Sequence, residues 1–342
     1  MKKVLVLFLA FFLPLGAFAA DREVYVFNWS QYIDPAVLEL FQKETGIEVK
    51  YSTFESNEAM FAKLKILKKN GYDVAFPSTY FVERMSRLGM LEPLDRTKLP
   101  NMKNLNQGLL DKPYDPDNAY SVPYLWGSSA IGVNAKVVDP AAVTSWDDLW
   151  NPDYKGKVLL MDDVRDVFAM SLRSLGYSGN ETDPARIKEA YEKLLKLIPS
   201  VKVFNSDSPK QPFLNNEVVI GQIWGGEVYQ ANEENPDIKY IYPKEGATFW
   251  ADNMVIPAST RNIDNAHAFI DFMCRPDIAK MNCEYVGYAT ANAKAQEMLD
   301  KKTRTHKAVY PDKADLDRGE FQTDVGDAIM VYEKYWEMLK TQ

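Results

Sequence analysis

The chain has 342 residues, which is long enough for two domains with separate hydrophobic cores. Its 48 acidic and 40 basic side chains give a formal charge of −8. This acidic balance argues against nucleic acid or an anionic membrane surface as a partner. With only two histidines and two cysteines, a metal site is not expected. No cofactor is predicted, and a monomer is expected.

The N-terminus has the pattern of a secretory signal peptide. A basic start at Met1–Lys3 precedes an apolar stretch over 4–15, and Ala17–Ala19 offers the small-residue cleavage motif. The stretch is too short for a permanent transmembrane helix, although an uncleaved anchor is the alternative. We therefore predict a signal peptide over 1–19 and export to the periplasm.

After this segment, strand and helix patterns alternate. β-Branched and aromatic runs predict strands, and apolar residues at helical spacing predict helices. Asp34 before Pro35, and Gly46 further on, mark the start and end of the first helix. Strands are predicted over 23–27, 47–54 and 72–76, and further helices over 58–69 and 81–88. The alternation predicts parallel strand pairing in an α/β layer.

A second α/β series occupies the later part of the chain. Strands are predicted over 158–161, 201–204 and 218–224, and helices over 163–175 and 184–197. Passages rich in proline and aromatic residues lie between the two series, over 120–126 and 240–250. The sequence therefore predicts two α/β lobes.

Motifs for catalysis are missing from the sequence. There is no phosphate-binding glycine-rich loop and no Gly-x-Ser-x-Gly elbow. Neither His267 nor His306 has a convincing Ser or Cys partner. Paired carboxylates could serve a glycosidase, which is the main enzymatic alternative. Cys274 and Cys283 could form a disulfide in an exported protein or remain buried free thiols.

Aromatic residues occur beside carboxylates and hydroxyls at the boundaries of the predicted elements. Ligands of α/β sheets bind beyond the carboxyl ends of strands, so these segments are expected at a binding site. The segments are Phe27–Tyr32, Pro77–Tyr80, Asp162–Asp166, Ile223–Gly226, Phe249–Asp252 and Val286–Thr290. Asp163 and Asp166 fall on one face of their helix.

This combination suits an alkyl polyammonium ion. Flat apolar walls accept its methylenes, and each ammonium gains roughly 0.5–2 kcal/mol over a ring face. A charge-assisted hydrogen bond to a carboxylate contributes roughly 1.5–3 kcal/mol. Each feature also has an ordinary structural explanation, since a Trp at a strand end is commonly core and Asp163 could simply cap its helix. The residues alone predict a binding protein for a cation or a sugar.

Six segments resemble the bacterial periplasmic spermidine/putrescine-binding proteins, in particular the spermidine-preferring members. The segments are Phe27–Trp29, Tyr51–Thr53, Pro77–Tyr80, Thr144–Trp146, Phe204–Asp207 and Tyr242–Gly246. The similarity extends from about Val24 to the C-terminus. It implies the two-lobed α/β periplasmic binding protein fold of type II, with the ligand in the cleft between the lobes and hinge closure on binding.

The implied fold divides the chain at two hinge crossings, near 127–130 and 249–252. The N-terminal lobe would comprise 20–128 and 252–297. The C-terminal lobe would comprise 129–251 and 298–342. The resemblance also implies that the loaded protein delivers its ligand to an inner-membrane ABC permease with its ATPase.

The resemblance further implies which residues bind the ligand. The aromatic walls would be Trp29, Tyr32, Tyr80, Trp224, Trp250 and Tyr288; the amine-binding carboxylates Asp163, Asp166 and Asp252; and the further polar contacts Ser30, Gln31, Ser78, Ser206 and Gln322. Two positions depart from the family pattern. Asp166 stands where spermidine binders carry Glu, and the neutral Gln31 stands where relatives carry an acidic residue. Norspermidine or putrescine could therefore compete with spermidine.

The leading hypothesis is capture of a polyamine for import, without catalysis. A sensor that docks on a membrane signalling receptor would need the same cleft and the same closure. A secreted hydrolase, with Asp163 and Asp252 as acid and base, is the alternative from a different class.

Overall fold

The computed structural model describes residues 22–67, 69 and 71–342, so the predicted signal peptide lies outside the described residues. The described residues form eleven strands: β1 (Glu23–Trp29), β2 (Glu48–Phe54), β3 (Val74–Ala75), β4 (Ser121–Asn134), β5 (Val158–Leu160), β6 (Val201–Phe204), β7 (Ile220–Trp224), β8 (Ile238–Ile241), β9 (Thr248–Val255), β10 (Ala289–Thr290) and β11 (Glu320–Phe321). They also form thirteen α-helices: α1 (Pro35–Thr45), α2 (Asn57–Ile66), α3 (Thr79–Arg87), α4 (Val164–Ser174), α5 (Pro184–Leu197), α6 (Lys210–Leu214), α7 (Gly225–Glu234), α8 (Ile263–Met273), α9 (Pro276–Val286), α10 (Ala293–Met298), α11 (Lys301–Thr305), α12 (Lys313–Arg318) and α13 (Ile329–Lys340).

Each strand and helix that the sequence predicts is present, with ends shifted by a few residues. The local chemistry explains the good agreement at α1, where the Asp34 carboxylate accepts a hydrogen bond from the Ala36 amide at 2.9 Å. The same helix ends at Gly46, whose φ of 70° is left-handed. The prediction was too long at β3, where only Val74 and Ala75 pair.

The strands form one sheet with two parallel ends and an antiparallel centre. Its order is β2-β1-β3-β9-β4-β7-β5-β6, with β8 and β10 beside β4 and β11 beside β9. The β1–β2, β1–β3, β5–β6 and β5–β7 pairs are parallel, as the alternating pattern predicts. In contrast, β9 is antiparallel to both β3 and β4. The passages that the sequence placed between the lobes therefore contribute strands to the sheet.

β4 and β9 cross the molecule side by side. Gly127 pairs with Trp250, and Ser128 pairs with Phe249. Buried apolar residues of two core clusters come from 24–125 and 250–288. Those of the other two clusters come from 130–249 and 325–339. The buried residues thus pass from one pair of core clusters to the other near 127–130 and 249–252. The division into two lobes at these crossings stays a prediction.

Cys274 and Cys283 are buried free thiols. This was the alternative to a disulfide that the sequence left open. The Cys283 sulfur lies 3.9 Å from the Tyr310 hydroxyl.

His267 accepts a hydrogen bond from the Asp95 amide at 2.9 Å through Nε2, which is a structural role. Within 22–67 and 71–342, none of the helices has the length and apolar character needed to cross a membrane.

Candidate functional site

One cavity brings together all fourteen residues that the sequence predicts at the ligand site. It contains about 850 Å³ of empty space, with open solvent at its mouth included. The predicted residues on its wall are Trp29, Ser30, Gln31, Tyr32, Ser78, Tyr80, Asp163, Asp166, Ser206, Trp224, Trp250, Asp252, Tyr288 and Gln322. Their contact with a ligand stays a prediction.

The loop after β1 supplies one corner of the cavity. The Trp29 indole donates a hydrogen bond to the Phe76 carbonyl at 2.9 Å. Its ring packs against the Phe54 ring, with 4.6 Å between the ring centroids. Gln31 is exposed and has a left-handed φ of 52°, which is a sharp turn for a residue other than glycine. Trp29 and Tyr32, on either side of this turn, both line the cavity.

Asp252 lies on β9 in the middle of this corner. Its Oδ2 accepts from the Tyr32 hydroxyl at 2.8 Å, and its Oδ1 accepts from the Ser78 hydroxyl at 2.6 Å. The Asp252 residue is 4% exposed. Burial raises the pKa of Asp252 to about 7, although both hydroxyl donors act to lower it. A cationic ligand would restore the charged form.

Asp163 and Asp166 lie at the N-terminus of α4. Asp163 is the N-cap and accepts from the Asp166 amide at 2.9 Å, so it both caps the helix and lines the cavity. Asp166 accepts from the Trp224 indole at 2.7 Å and from the Gln322 amide group at 3.1 Å. Desolvation, together with the neighbouring charge of Asp163, raises the pKa of Asp166 to about 7. Desolvation also raises the pKa of Asp163.

Aromatic rings form the apolar walls. Tyr288 lies between Trp250, at 5.1 Å between ring centroids, and Tyr32, at 5.7 Å. The indole of Trp250 lies over Gly127 on the paired strand, where a Cβ atom would come within 2.6 Å of Cζ2. Glycine is required here because any side chain would displace the wall. The Trp250 Nε1 is buried and has no protein partner among the described residues.

The buried side-chain amide of Asn57 holds Tyr80 in place through a hydrogen bond. The Asn57 side chain donates to the Tyr80 hydroxyl and to the Ser78 hydroxyl, both at 3.0 Å. Its Oδ1 accepts from the Ser78 backbone amide at 3.1 Å. Asn57 therefore fixes two predicted site residues at once, and it also lines the cavity.

Seven further residues of the cavity wall were not predicted individually as ligand contacts, although Val286 belongs to a segment expected at the site. They are Phe54, Glu55, Asn57, Asp207, Glu227, Gln230 and Val286. Asp207 directly follows a predicted residue, and Glu227 follows the Ile223–Gly226 segment, so proximity to the singled-out segments was the available signal. Asn57 is the first residue of α2 and Gln230 lies within α7, and neither adjoins one of those segments.

Comparisons with known proteins agree with this geometry. The model of the bacterial extracellular solute-binding protein family matches residues 36–310. The spermidine/putrescine-binding periplasmic protein of Escherichia coli (strain K12) is 49% identical over 332 residues, which cover 96% of this chain and 95% of that protein. A putrescine-binding periplasmic protein of Pseudomonas aeruginosa is 36% identical over 329 residues, which cover 91% and 89%.

Solved structures show the same fold. The spermidine/putrescine ABC transporter substrate-binding protein of Streptococcus pneumoniae superposes with a TM-score of 0.79 at 40% identity, covering 93% of this chain and 98% of that one. The fold is therefore that of the periplasmic binding proteins, and the protein is periplasmic. It is a binding protein and not an enzyme, which excludes the hydrolase alternative. The chain belongs to the bacterial extracellular solute-binding protein family.

Proposed function

We propose that this protein captures a polyamine, with spermidine as the leading ligand, and delivers it to an inner-membrane ABC permease and its ATPase. The observation that carries the proposal is a set of buried cavity carboxylates that form no ion pair with a protein side chain among the described residues, although the charge of Arg165 acts on two of them. Within the described residues, Asp163, Asp166 and Asp252 line the cavity, yet the ion pairs of the chain involve other acidic residues. A buried carboxylate is costly unless a cation balances it, and an ammonium group of the ligand would do so.

The aromatic walls support the same ligand class. Trp250, Tyr288 and Tyr32 form a continuous apolar surface beside Asp252. An ammonium over such a ring gains roughly 0.5–2 kcal/mol, and a hydrogen bond to a carboxylate contributes roughly 1.5–3 kcal/mol. Two or three such pairs supply about 8 kcal/mol, which corresponds to micromolar affinity. A sugar would leave the buried carboxylates without compensating charge.

Closure of the two lobes would complete the site. The carboxylates come from both predicted lobes, since Asp252 lies with Ser78 and Tyr32, whereas Asp166 lies with Trp224 and Gln322. A polyamine that bridges them would draw the lobes together. The closed form would then dock on the permease.

A thermal unfolding panel tests the proposal. The purified mature protein is heated with putrescine, cadaverine, norspermidine, spermidine or spermine, and with 1,8-octanediol as an uncharged control of similar length. A ligand that binds only the folded state raises the unfolding temperature as its concentration exceeds Kd. We expect a rise with spermidine and none with the diol. If no amine raises the unfolding temperature, the proposed function is wrong.

A further inference from the structure

Helix α3 of the predicted N-terminal lobe contacts the predicted C-terminal lobe at both of its ends. At the first turn, the Thr79 hydroxyl donates to the Gln322 backbone carbonyl at 3.1 Å. At the last turn, the Arg87 guanidinium lies 3.1 Å from the Asp324 carboxylate. Gln322 and Asp324 directly follow β11, which pairs with the part of β9 that belongs to the predicted C-terminal lobe. One helix therefore joins the two predicted lobes through two separate polar contacts.

A cation–π contact adds a third connection near the first turn of α3. The Arg165 guanidinium of α4 lies 5.3 Å from the centroid of the Tyr80 ring and 5.5 Å from that of the Tyr332 ring. It also donates to the Thr323 carbonyl at 3.1 Å and to Asn180 Oδ1 at 2.9 Å. These partners in the predicted C-terminal lobe fix the guanidinium, so Tyr80 has a charged partner across the boundary between the lobes.

These contacts are connected to the ligand cavity. While its backbone carbonyl accepts from Thr79, the Gln322 side chain donates to Asp166 Oδ1 at 3.1 Å. Tyr80, which contacts Arg165, also lines the cavity. A ligand held between Asp166 and Tyr80 would therefore favour the arrangement in which α3 contacts the other lobe.

The ion pair at the last turn of α3 lies apart from the cavity. Neither Arg87 nor Asp324 belongs to the cavity wall in the part of the chain that the structure describes. Desolvation raises the pKa of Glu83, one turn before Arg87; the charge of Asp324 raises it further, and the charge of Arg87 lowers it. Arg87 therefore balances two neighbouring carboxylates, one from each predicted lobe. Opening of the lobes would separate Arg87 from Asp324 and leave it with Glu83 on the same helix.

We propose that the contacts of α3 form an interlobe latch, which stabilises the closed, loaded form and raises the affinity for every polyamine by the same factor. The latch consists of Thr79, Tyr80, Arg87, Arg165, Gln322 and Asp324. The inference rests on the proposed function. A contact that forms only on closure increases the fraction of the binding-competent form, whichever amine is bound. The choice between amines stays with the cavity wall.

Calorimetric titration of Arg87→Gln with spermidine and with putrescine tests the latch, because the sign of the effect is diagnostic. Removal of a positive charge strengthens the long-range attraction of a cationic ligand, whereas loss of the latch weakens binding. We expect both amines to bind about two- to fivefold more weakly, the size of a partly exposed ion pair. The loss should appear in the dissociation rate, because the latch breaks when the lobes open. Stopped-flow fluorescence of the cavity tryptophans measures that rate.

Arg186→Gln is the matched control. Arg186 lies 2.9 Å from Glu181, and these side chains are 50% and 11% exposed. The corresponding values for Arg87 and Asp324 are 59% and 10%. Both partners of the control pair belong to the predicted C-terminal lobe, so closure leaves the pair intact. The control should therefore leave both affinities unchanged.

A double-mutant cycle tests whether Arg87 and Asp324 act as a pair. Asp324→Asn removes the charge but keeps the oxygen that accepts from the Gly326 amide at 2.9 Å. The double variant should bind spermidine no more weakly than Arg87→Gln alone, because the carboxylate that Arg87 balances is also neutral. At the other end of α3, Thr79→Val removes the hydroxyl and keeps the shape. It should weaken both amines by a common factor.

The outcomes separate the latch from the proposed function. If the wild-type protein binds no amine, the proposed function is wrong and the latch falls with it. If the wild type binds, but Arg87→Gln binds as tightly or more tightly, or changes the ratio of the two affinities more than about twofold, only the latch is wrong. Additive losses in the double variant would contradict the pairing. Thermal unfolding without ligand checks folding, and Thr79→Val decides the inference if a charge variant does not fold.

Discussion

At the scale of single residues, Asp252 shows most directly how the fold prepares a carboxylate for a cation. It is buried on a central strand, and two hydroxyl groups fix both of its oxygens. The hydroxyls of Tyr32 and Ser78 donate neutral hydrogen bonds, so they orient the carboxylate without cancelling its charge. The charge is therefore left for a ligand, at a position beside the Tyr32 ring, which packs against Tyr288.

We expect Asp252→Asn to weaken spermidine binding by about ten- to a hundredfold, because a buried ammonium would lose its counter-charge. Folding should be retained, since the buried carboxylate is a cost in the free protein. Calorimetric titration measures the affinity, and thermal unfolding without ligand checks the fold. Asp317→Asn on the exposed α12 is the control. Near-wild-type affinity of Asp252→Asn would show that Asp252 does not contact an amine.

The Gln31→Glu substitution makes the converse test, because it adds a negative charge to the cavity wall. Its side chain lines the cavity and is exposed, so a carboxylate there would attract an ammonium through partly solvated surroundings. We expect Gln31→Glu to tighten spermidine binding a few-fold and putrescine binding less. Competition between the two amines for the variant measures the change. Equal or weaker binding of spermidine would mean that Gln31 does not face an amine.

At the scale of elements, the close packing of Gly226 against the Tyr288 ring positions α7. Alanine in place of a helical glycine ordinarily stabilises a protein by roughly 0.4–1 kcal/mol. At Gly226 we expect the opposite, because the new Cβ atom would lie 2.5 Å from the Tyr288 ring and force α7 or Tyr288 to move. Gly226→Ala should lower the unfolding temperature and weaken spermidine binding. An unchanged or raised unfolding temperature would contradict this packing argument.

The elements also show what the sequence can predict. Helix α1 was predictable because Asp34, Pro35 and Gly46 determine its ends through local chemistry. The strand pairing of β4 with β9 was not, because it joins residues more than a hundred positions apart and has no local signature. The predicted site residues mostly lie beside strand ends, but Phe54 and Glu55 at the end of β2 were not predicted. Asn57, the first residue of α2, holds Ser78 and Tyr80 and was missed because its role depends on tertiary contacts.

At the scale of the whole molecule, the cavity carboxylates link ligand binding to protons. Asp166, Asp252 and Glu227 each have a pKa raised to about 7, with desolvation as the largest cause. In the unfolded chain such groups titrate near 4. Between about pH 4 and pH 7 the folded free protein therefore holds more protons than the unfolded one, and these groups make it less stable as the pH rises through that window.

Ligand binding should show the opposite trend with pH. An ammonium favours the charged carboxylates, so the loaded protein releases protons that the free protein holds near pH 7. The amines themselves stay protonated, as lysine does, up to about pH 10. We expect spermidine affinity to be at least about tenfold weaker at pH 5.5 than at pH 8. Calorimetric titrations in phosphate and in Tris, whose ionisation enthalpies differ, count the protons released.

Asp252→Asn removes one of the cavity carboxyl groups whose pKa is raised. The variant should therefore release fewer protons than the wild type when it binds spermidine at pH 7. The gain in unfolding temperature that spermidine gives should also grow with pH, because the free protein loses stability while the loaded protein gains affinity. An affinity that stays constant from pH 5.5 to pH 8, with the same heat in both buffers, would mean that the cavity carboxylates are already charged before the ligand arrives. The solvent, and not the polyamine, would then balance them.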